Sequence, residues 1–409
     1  MRLVHAALLA GALVPRAAGA QVMPAPEPRP ASALAPDTVL APLGGPRIVL
    51  LASPGVGVAA LRLAVPLREG PTEAGAGRLL RDLALERMRS LARPVGAEVS
   101  AARTPWGIAY TAVGATADFE YLAYLLREAV ASPDVTGPGF AEVRLRLQGD
   151  ATAAVETPSG RVGADLRSQI APGLPPLEGT PASLQAMDAA RVREVWLRSH
   201  QPSTMTLVVS APVAPEVVLA ATRGMGAPEE SAAPPPGAPA SAGSRTAAPQ
   251  SLRSWYGEAW PVGSPRDPLG AVAASLLAEQ LRTGPSGIEV RVELWDLVDR
   301  SVLAVVASSW SRNAQAMRRA VSGAIAATRG TLDDGAVERA AAQARRNGMM
   351  AARTPAGLVA VVGRAMEADG DPLSAQRDME ALQAVDAASV RDLLDRLLRQ
   401  GPRTAQVRP

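Results

Sequence analysis

The sequence of 409 residues contains no cysteine. This absence excludes a disulfide framework, a thiolate metal site and a lipid anchor attached through cysteine. Lysine is absent as well, so arginine supplies all 42 basic side chains against 39 acidic ones, and the net charge is only +3. The fold must therefore be stabilised by packing, and its basic charge is dispersed rather than gathered into one strongly positive segment.

Aromatic residues and histidines are also scarce. Aromatics make up 3% of the chain, and with nearly balanced charge and no recognisable module this argues against nucleic-acid binding. The two histidines are His5 and His200. A hydrolytic zinc needs about three protein ligands, so these histidines argue against a mononuclear zinc site. We interpret His200 as structural, a cation at the C-terminus of a predicted helix, and no serine-hydrolase motif lies near it.

The first 20 residues have the pattern of a secretory signal peptide. Arg2 precedes an apolar run from Leu3 to Val14, and Ala18-Gly19-Ala20 resembles a cleavage site. Cleavage there would leave Gln21 as the first residue and would place the protein in the periplasm or outside the cell. A short uncleaved membrane anchor is the alternative. No later stretch reaches the roughly 18 apolar residues of a membrane-spanning helix, so no membrane span is expected after cleavage.

Two halves of the chain resemble each other. "LQAMDAARVRE" at 184–194 recurs as "LQAVDAASVRD" at 382–392, and "TPSGRVG" at 157–163 matches "TPAGLVA" at 354–360, at offsets of 198 and 197. Two matches at nearly one offset indicate a tandem duplication. The predicted organisation is a signal peptide (1–20), a Pro/Ala-rich disordered lead (21–44), a first domain (45–225), a Pro/Ala/Gly linker (226–250) and a second domain (251–409).

Each half shows strand pairs separated by runs of helices. In the first half the apolar patterns predict strands at 47–54, 58–67, 96–103, 107–115 and 204–211, and helices at about 76–92, 118–130, 138–155 and 158–170. In the second half they predict strands at 255–262, 288–295 and 301–309, a helix near 268–283 and further helices to about 399. The fold class is therefore α+β, with two homologous domains, each a mixed or antiparallel sheet with helices packed on one face.

The first predicted helix carries charges at a spacing that often holds a catalytic metal. Arg78, Arg81 and Asp82 lie at i, i+3 and i+4. Arginine cannot ligate a metal, and Arg78 with Asp82 can form an i, i+4 ion pair worth a few tenths of a kcal/mol. From these residues alone, a solvated helix surface is the plainer interpretation.

Taken together, these features resemble the insulinase, pitrilysin and mitochondrial processing peptidase family of zinc peptidases over about 45–409. The segment "EGPTEAGAGRLLRD" (69–82) resembles the family's turn and its H-x-x-E-H helix. On that resemblance Arg78 takes the first His position, Arg81 the Glu general base and Asp82 the second His. Asp150 falls nearest the third zinc ligand. The resemblance implies a clamshell fold and a zinc cofactor, but the ligands for zinc are replaced, so no cofactor is expected.

The resemblance also implies a role for a member without the motif. Such members pair with an active subunit and together enclose a chamber for extended peptides. The second half of an inactive partner contributes an Arg and a Tyr, and here Arg291 fits the Arg position, whereas Trp295 is a misplaced analogue of the Tyr. Arg291 is thus a candidate contact for substrate or partner.

The leading hypothesis is a non-catalytic subunit that forms a heterodimer with an active insulinase-family peptidase, or a homodimer, and acts on peptide substrates. The alternatives are a stand-alone peptide-binding or envelope scaffold, and a divergent metallopeptidase that uses carboxylates such as Asp82, Asp150 or Glu142.

Overall fold

The computed structural model describes residues 31–52, 57–226, 251–283, 287–310 and 313–408. The predicted signal peptide, the first part of the predicted lead (21–30) and nearly all of the predicted linker (227–250) lie outside the described residues. None of the helices in the described ranges is long and apolar enough to span a membrane.

The first half is built on a mixed sheet of six strands. These are β1 (Pro36–Leu40), β2 (Arg47–Leu51), β3 (Val58–Pro66), β4 (Glu98–Arg103), β5 (Gly107–Ala115) and β6 (Thr206–Ser210), in the order β1-β2-β6-β3-β5-β4. Only the β2–β6 pair is parallel. Strand β3 is apolar except for Arg62 and is buried on both faces, as expected for a central strand that is covered on both sides.

The second half is built on an antiparallel sheet of four strands. These are β7 (Ser254–Gly263), β8 (Glu289–Asp296), β9 (Ser301–Ser309) and β10 (Arg403–Val407), in the order β10-β7-β9-β8. The predicted α+β class with two sheets is confirmed.

The helices of the described part divide between the two halves. The first half contains α1 (Ala76–Ala92), α2 (Phe119–Val130), α3 (Pro138–Glu156), α4 (Pro158–Ile170), α5 (Pro181–Ala186), α6 (Ala189–Ser199) and α7 (Pro215–Ala221). The second contains α8 (Pro268–Arg282), α9 (Ala314–Thr331), α10 (Asp334–Ala351), α11 (Pro355–Asp369), α12 (Ser374–Ala381) and α13 (Ala387–Gln400). In each half most helices cover one face of the sheet and build its main apolar core.

The two halves exchange one helix each. Helix α11 of the second half packs on the free face of the first sheet, and α4 of the first half packs on the free face of the second sheet. An ion pair fixes the first of these contacts: the Arg62 guanidinium on β3 lies 2.6 Å from the Glu367 carboxylate on α11, and both side chains are about 95% buried. The second face of each sheet is therefore covered by a helix from the other half of the chain.

The repeated sequence segments are the starts of equivalent helices. Thr157 and Thr354 are the N-caps of the exchanged helices α4 and α11, and each side chain accepts a hydrogen bond from the backbone N–H three residues later. That third residue is glycine because a Cβ at Gly160 or Gly357 would lie within 2 Å of a carbonyl oxygen at the end of the preceding helix. Asp188, a predicted N-cap, does cap α6.

The predicted disordered lead at 21–44 is wrong for residues 31–44. Strand β1 pairs antiparallel with β2, and Leu34 is fully buried against the exchanged helix α11. The proline and alanine content suggested disorder, but Leu34 and Leu40 supply apolar contacts that anchor this segment to the sheet.

Candidate functional site

Helix α1 begins at a buried carboxylate. The Glu69 side chain is 1% exposed and accepts hydrogen bonds from the backbone N–H groups of Gly75 (3.5 Å) and Gly77 (2.5 Å) at the start of the helix. Arg103 of β4 lies 3.5 Å from the same carboxylate. Burial raises the pKa of Glu69, and Arg103 with the two backbone N–H groups opposes that shift. The carboxylate thus fixes the first turn of α1 against the sheet.

Arg78, which the resemblance assigns to the first His position of the H-x-x-E-H motif, forms ion pairs with two carboxylates. Its guanidinium lies 2.9 Å from Asp150 of α3 and 3.0 Å from Glu178 in the loop before α5. The Arg78 side chain is 12% exposed, whereas both partners are about half exposed. The structure therefore brings together Arg78 and Asp150, the two positions that the resemblance assigned to zinc ligands on different helices.

Asp82, at the predicted position of the second histidine, is held by two arginines. The Arg81 side chain lies 2.5 Å from its Oδ1 atom, and Arg146 of α3 lies 3.4 Å from its Oδ2 atom. Arg146 also pairs with Glu86, one turn further along α1. The four residues that the resemblance assigned to the zinc-binding motif are Arg78, Arg81, Asp82 and Asp150. All four thus form ion pairs.

This arrangement does not fit a zinc ion. Guanidinium groups cannot donate electron pairs to a metal, and they occupy the carboxylate oxygens that otherwise would. In the described part of the chain, no group of three or more histidine, aspartate or glutamate side chains is placed to hold a metal ion. Arg81 occupies the position of the family's Glu general base, and an arginine cannot take that role. The side chains at these positions can bind and orient charged groups, but they cannot activate water as a hydrolytic zinc centre does.

A cation–π contact links the first half to the edge strand of the second sheet. Arg167 of α4 stacks over the Trp295 ring of β8 at 4.3 Å, and Trp295 donates from Nε1 to Glu293 at 2.7 Å. Desolvation lowers the pKa of Arg167, while Glu293 and Glu178 oppose that shift. Glu178, which binds Arg78, and Glu293 of β8 thus both act electrostatically on Arg167 of α4.

The remaining predicted residues lie apart from the ion pairs of Arg78 and Asp82. Arg291 on β8 pairs with Glu293 at 3.6 Å and is 75% exposed, so its guanidinium is accessible to a substrate or partner. Glu142 lies exposed on α3, two turns before Asp150. The interpretation of His200 as a cation is wrong: it caps α6 but is 1% exposed, and burial lowers its pKa to about 3, so the ring is neutral.

Sequence reasoning missed Arg146, Glu178 and Arg167. A signal existed for Arg146, because Arg78 and Asp82 on α1 and Arg146 and Asp150 on α3 have complementary charges at the same i, i+4 spacing. Antiparallel helices with such charges can form two pairs at once. Glu178 lies in a Pro/Gly-rich loop, and Arg167 on an exchanged helix, so no local pattern placed either beside α1.

No family model and no curated protein matches the sequence. Solved structures do match the fold. A protease from Helicobacter pylori has a TM-score of 0.78 at 14% identity, covering 92% of this chain and all of that one. An inactive domain of peptidase M16 from Pseudomonas fluorescens has a TM-score of 0.71 at 12% identity, covering 88% and 94%.

A chain of complex III2 from Candida albicans is also similar, with a TM-score of 0.70 at 14% identity, covering 88% of this chain and 92% of that one. Identities this low carry the architecture and not the activity. The coarser part of the resemblance, an α+β fold like that of M16-type peptidases along most of the chain, is confirmed. The chain thus has the fold of the M16 peptidases.

Proposed function

We propose that the protein is a non-catalytic subunit of a peptidase assembly, which holds peptides for an active zinc-peptidase relative. One observation carries the proposal: the positions that correspond to the zinc-binding motif, Arg78, Arg81, Asp82 and Asp150, are neutralised by ion pairs with each other and with Glu178 and Arg146. Such a surface can present charge to a peptide, but its arginines offer neither ligands for a hydrolytic zinc nor a general base.

A peptide-binding surface lies beside this site. Strand β4 is the last strand of the first sheet, so its outer backbone groups have no neighbouring strand in the described residues. An exposed edge of this kind accepts an extended peptide as an additional strand. Helix α1, which carries Arg78 and Asp82, packs directly against β4. Arg291 on the edge strand of the second sheet supplies a further exposed cation.

The proposed partner is an active peptidase with an intact H-x-x-E-H motif, in the periplasm or outside the cell. The test is affinity purification of the full chain from native extracts, followed by an assay of peptide cleavage. We expect co-purification of the active relative and loss of its activity when this chain is deleted. The Arg291→Ala variant should weaken peptide binding or pairing, and Arg300→Ala on the neighbouring turn is a matched exposed control. A strictly monomeric particle in the extract would contradict the proposal.

A second candidate is a stand-alone scaffold for peptides or envelope proteins. The similarity to a chain of complex III2, an assembly rather than a free peptidase, favours it. The same purification distinguishes the two candidates: a scaffold would return envelope components without any peptidase, and deletion of this chain would leave peptidase activity unchanged.

A further inference from the structure

Strand β10 is the equivalent of β6 in the other half, but its outer edge is open. Each of these strands follows the repeated helix, α6 or α13, and pairs antiparallel with the long central strand of its sheet. In the first half, β2 pairs with the outer edge of β6 and runs parallel to it. In the second half, β10 is the last strand, and no strand of the described residues pairs with its outer edge. The duplication therefore indicates a position for one further strand beside β10, parallel to it.

The backbone groups at the outer edge are those of Thr404 and Gln406. Successive residues of a strand point their N–H and C=O groups alternately to one side and to the other. The Thr404 carbonyl oxygen accepts from the Gln169 side chain of α4 at 3.0 Å, which indicates that it points away from β7. Pro261 of β7 agrees: it has no N–H for the ladder with β9, so the odd-numbered positions of β7 face β10 and bond its odd-numbered positions. Gln406 therefore offers one donor and one acceptor to an added strand.

The composition of β10 does little to protect this edge. Exposed edge strands are usually guarded by charged side chains, by proline or by a covering element. Strand β8, the other edge of the same sheet, has four charged residues among its eight. Strand β10 has one, Arg403, and the next four residues are uncharged. An uncharged edge of this kind favours pairing with an extended chain.

A pocket of about 330 Å³ opens beside the outer edge, on the face of the sheet opposite α4. Strand β10 contributes Thr404 and Gln406 to its wall, β7 contributes Tyr256, and α9 contributes Gln315 and Arg318. In paired strands, residues opposite each other point their side chains to the same face of the sheet. A side chain opposite Thr404 or Gln406 on an added strand would therefore enter this pocket.

The charge of the pocket wall favours an acidic side chain. Arg318 is exposed at the wall and forms no ion pair within the described ranges. Tyr256 donates its hydroxyl proton to Glu258 at 2.5 Å, and Glu258 is 2% exposed and does not line the pocket. Burial raises the pKa of Glu258, while the hydrogen bond from Tyr256 and the charge of Arg318 oppose that shift. Arg318 is therefore accessible to a carboxylate that enters from solvent.

We propose that the outer edge of β10 binds an acidic, extended segment of a partner protein as a strand parallel to β10, with a carboxylate side chain on Arg318. A second copy of this chain, joined through a twofold axis, would place its β10 antiparallel and does not fit the parallel position. This edge belongs to the second sheet, whereas β4 belongs to the first. The site is thus independent of pairing with an active peptidase.

The first test measures the contribution of the acidic side chain. The probe is a fluorescein-labelled, capped peptide of sequence TVTEVTV, and its binding to the full chain is followed by fluorescence anisotropy. We expect saturable binding, and about 3- to 5-fold weaker binding when glutamine replaces the glutamate, because one exposed ion pair is lost. The Arg318→Met chain should bind both probes equally. Arg319→Met, at an exposed residue of the same helix, is the matched control and should keep the difference.

The second test uses N-methylated probes to detect the added strand and its direction. In a parallel pair, the residues on either side of the glutamate turn their N–H groups to β10, and the glutamate turns its own N–H away. Methylation of the two flanking nitrogens should therefore weaken binding more than about 10-fold, and methylation of the glutamate nitrogen should leave it unchanged.

Hydrogen exchange of the Gln406 amide completes the test. This amide should exchange rapidly in the free chain and should become protected when the probe is saturating. Three results would overturn the proposal: equal binding of the glutamate and glutamine probes, the reverse pattern of methylation, or a Gln406 amide that is already protected in the free chain.

Discussion

Helices α1 and α8 hold equivalent places in the two halves, yet they contact their neighbours differently. Each follows the long central strand of its half and precedes a two-stranded hairpin. Helix α1 has six charged residues, and Arg78 and Asp82 form ion pairs with α3. Helix α8 has two, both in its last turn, and packs on α10 through apolar side chains such as Leu277 and Val337.

This difference shows that the fold does not require charged side chains at this helix–helix contact, which is α1–α3 in the first half and α8–α10 in the second. The second half builds the same helix pair from apolar residues, and paired charges are seldom better for stability than well-packed apolar side chains. The α1–α3 contact has an apolar part of its own, which includes Leu80 and Leu147. The ion pairs at its edge are therefore not needed to hold the two helices together, which is consistent with the proposed binding role.

The comparison predicts that the largest loss of stability follows a substitution in α8, the helix with the apolar contact. Leu277 is fully buried in the core of the second half, so Leu277→Ala should lower the free energy of unfolding by about 2–5 kcal/mol. Urea denaturation followed by circular dichroism measures this loss. Leu398→Ala, at a side chain that is 41% exposed, is the control and should change the same quantity by less than about 0.5 kcal/mol.

The repeated helices α6 and α13 differ at their C-terminal ends: α6 ends at the buried His200, whereas α13 ends at Gly401. Only the first half therefore has a titratable group at this place, and its stability should depend on pH. The pKa of His200 is about 3 in the fold and about 6.5 in the unfolded chain. Below pH 6.5 the unfolded chain therefore binds a proton that the fold does not. This group should then cost the folded state about 1.4 kcal/mol per pH unit as the pH falls towards 3.

His200→Gln removes this titration. The stability of the unmodified chain relative to the variant should fall between pH 6.5 and pH 4 in urea denaturation and should be constant above pH 7.5. A difference that does not change with pH would show that His200 has the same pKa in the folded and unfolded chain.

The smallest effect is expected at α1. Arg78→Met keeps the length of the side chain and removes ion pairs whose carboxylate partners are half exposed, so unfolding should change by less than about 1 kcal/mol. The measurement is the same urea titration used for Leu277→Ala. If Arg78→Met instead cost as much as Leu277→Ala, the charges would be part of the stabilising core, and the contrast between the two helices would disappear.

Much of the fold was predictable from local patterns. The T-P-x-G segments that precede α4 and α11 and the capping aspartates Asp188 and Asp386 marked the duplication, because each cap is satisfied within its own turn. The mostly apolar run of β3 and the alternating pattern of β4 predicted two strands, but not their places in the sheet.

The exchange of helices between the halves was not predictable, since the apolar face of α4 does not reveal which sheet it covers. The same limit applies to the candidate site. The sequence placed Arg78, Arg81, Asp82 and Asp150 together only through resemblance, and the structure supplies the ion pairs that explain how these charges are tolerated. The state of His200 depended on burial by α1 and α2, which are distant in sequence, whereas its position after a helix suggested a charged ring.

The most direct test of the account is the zinc content of the purified full chain, measured by elemental mass spectrometry after dialysis against zinc and then against buffer, together with a peptide-cleavage assay. Because arginines hold the carboxylates of Asp82 and Asp150, we predict far less than one zinc per chain and no cleavage that a chelator inhibits. One zinc per chain, lost together with chelator-sensitive cleavage in an Asp82→Asn or Asp150→Asn variant, would contradict the account.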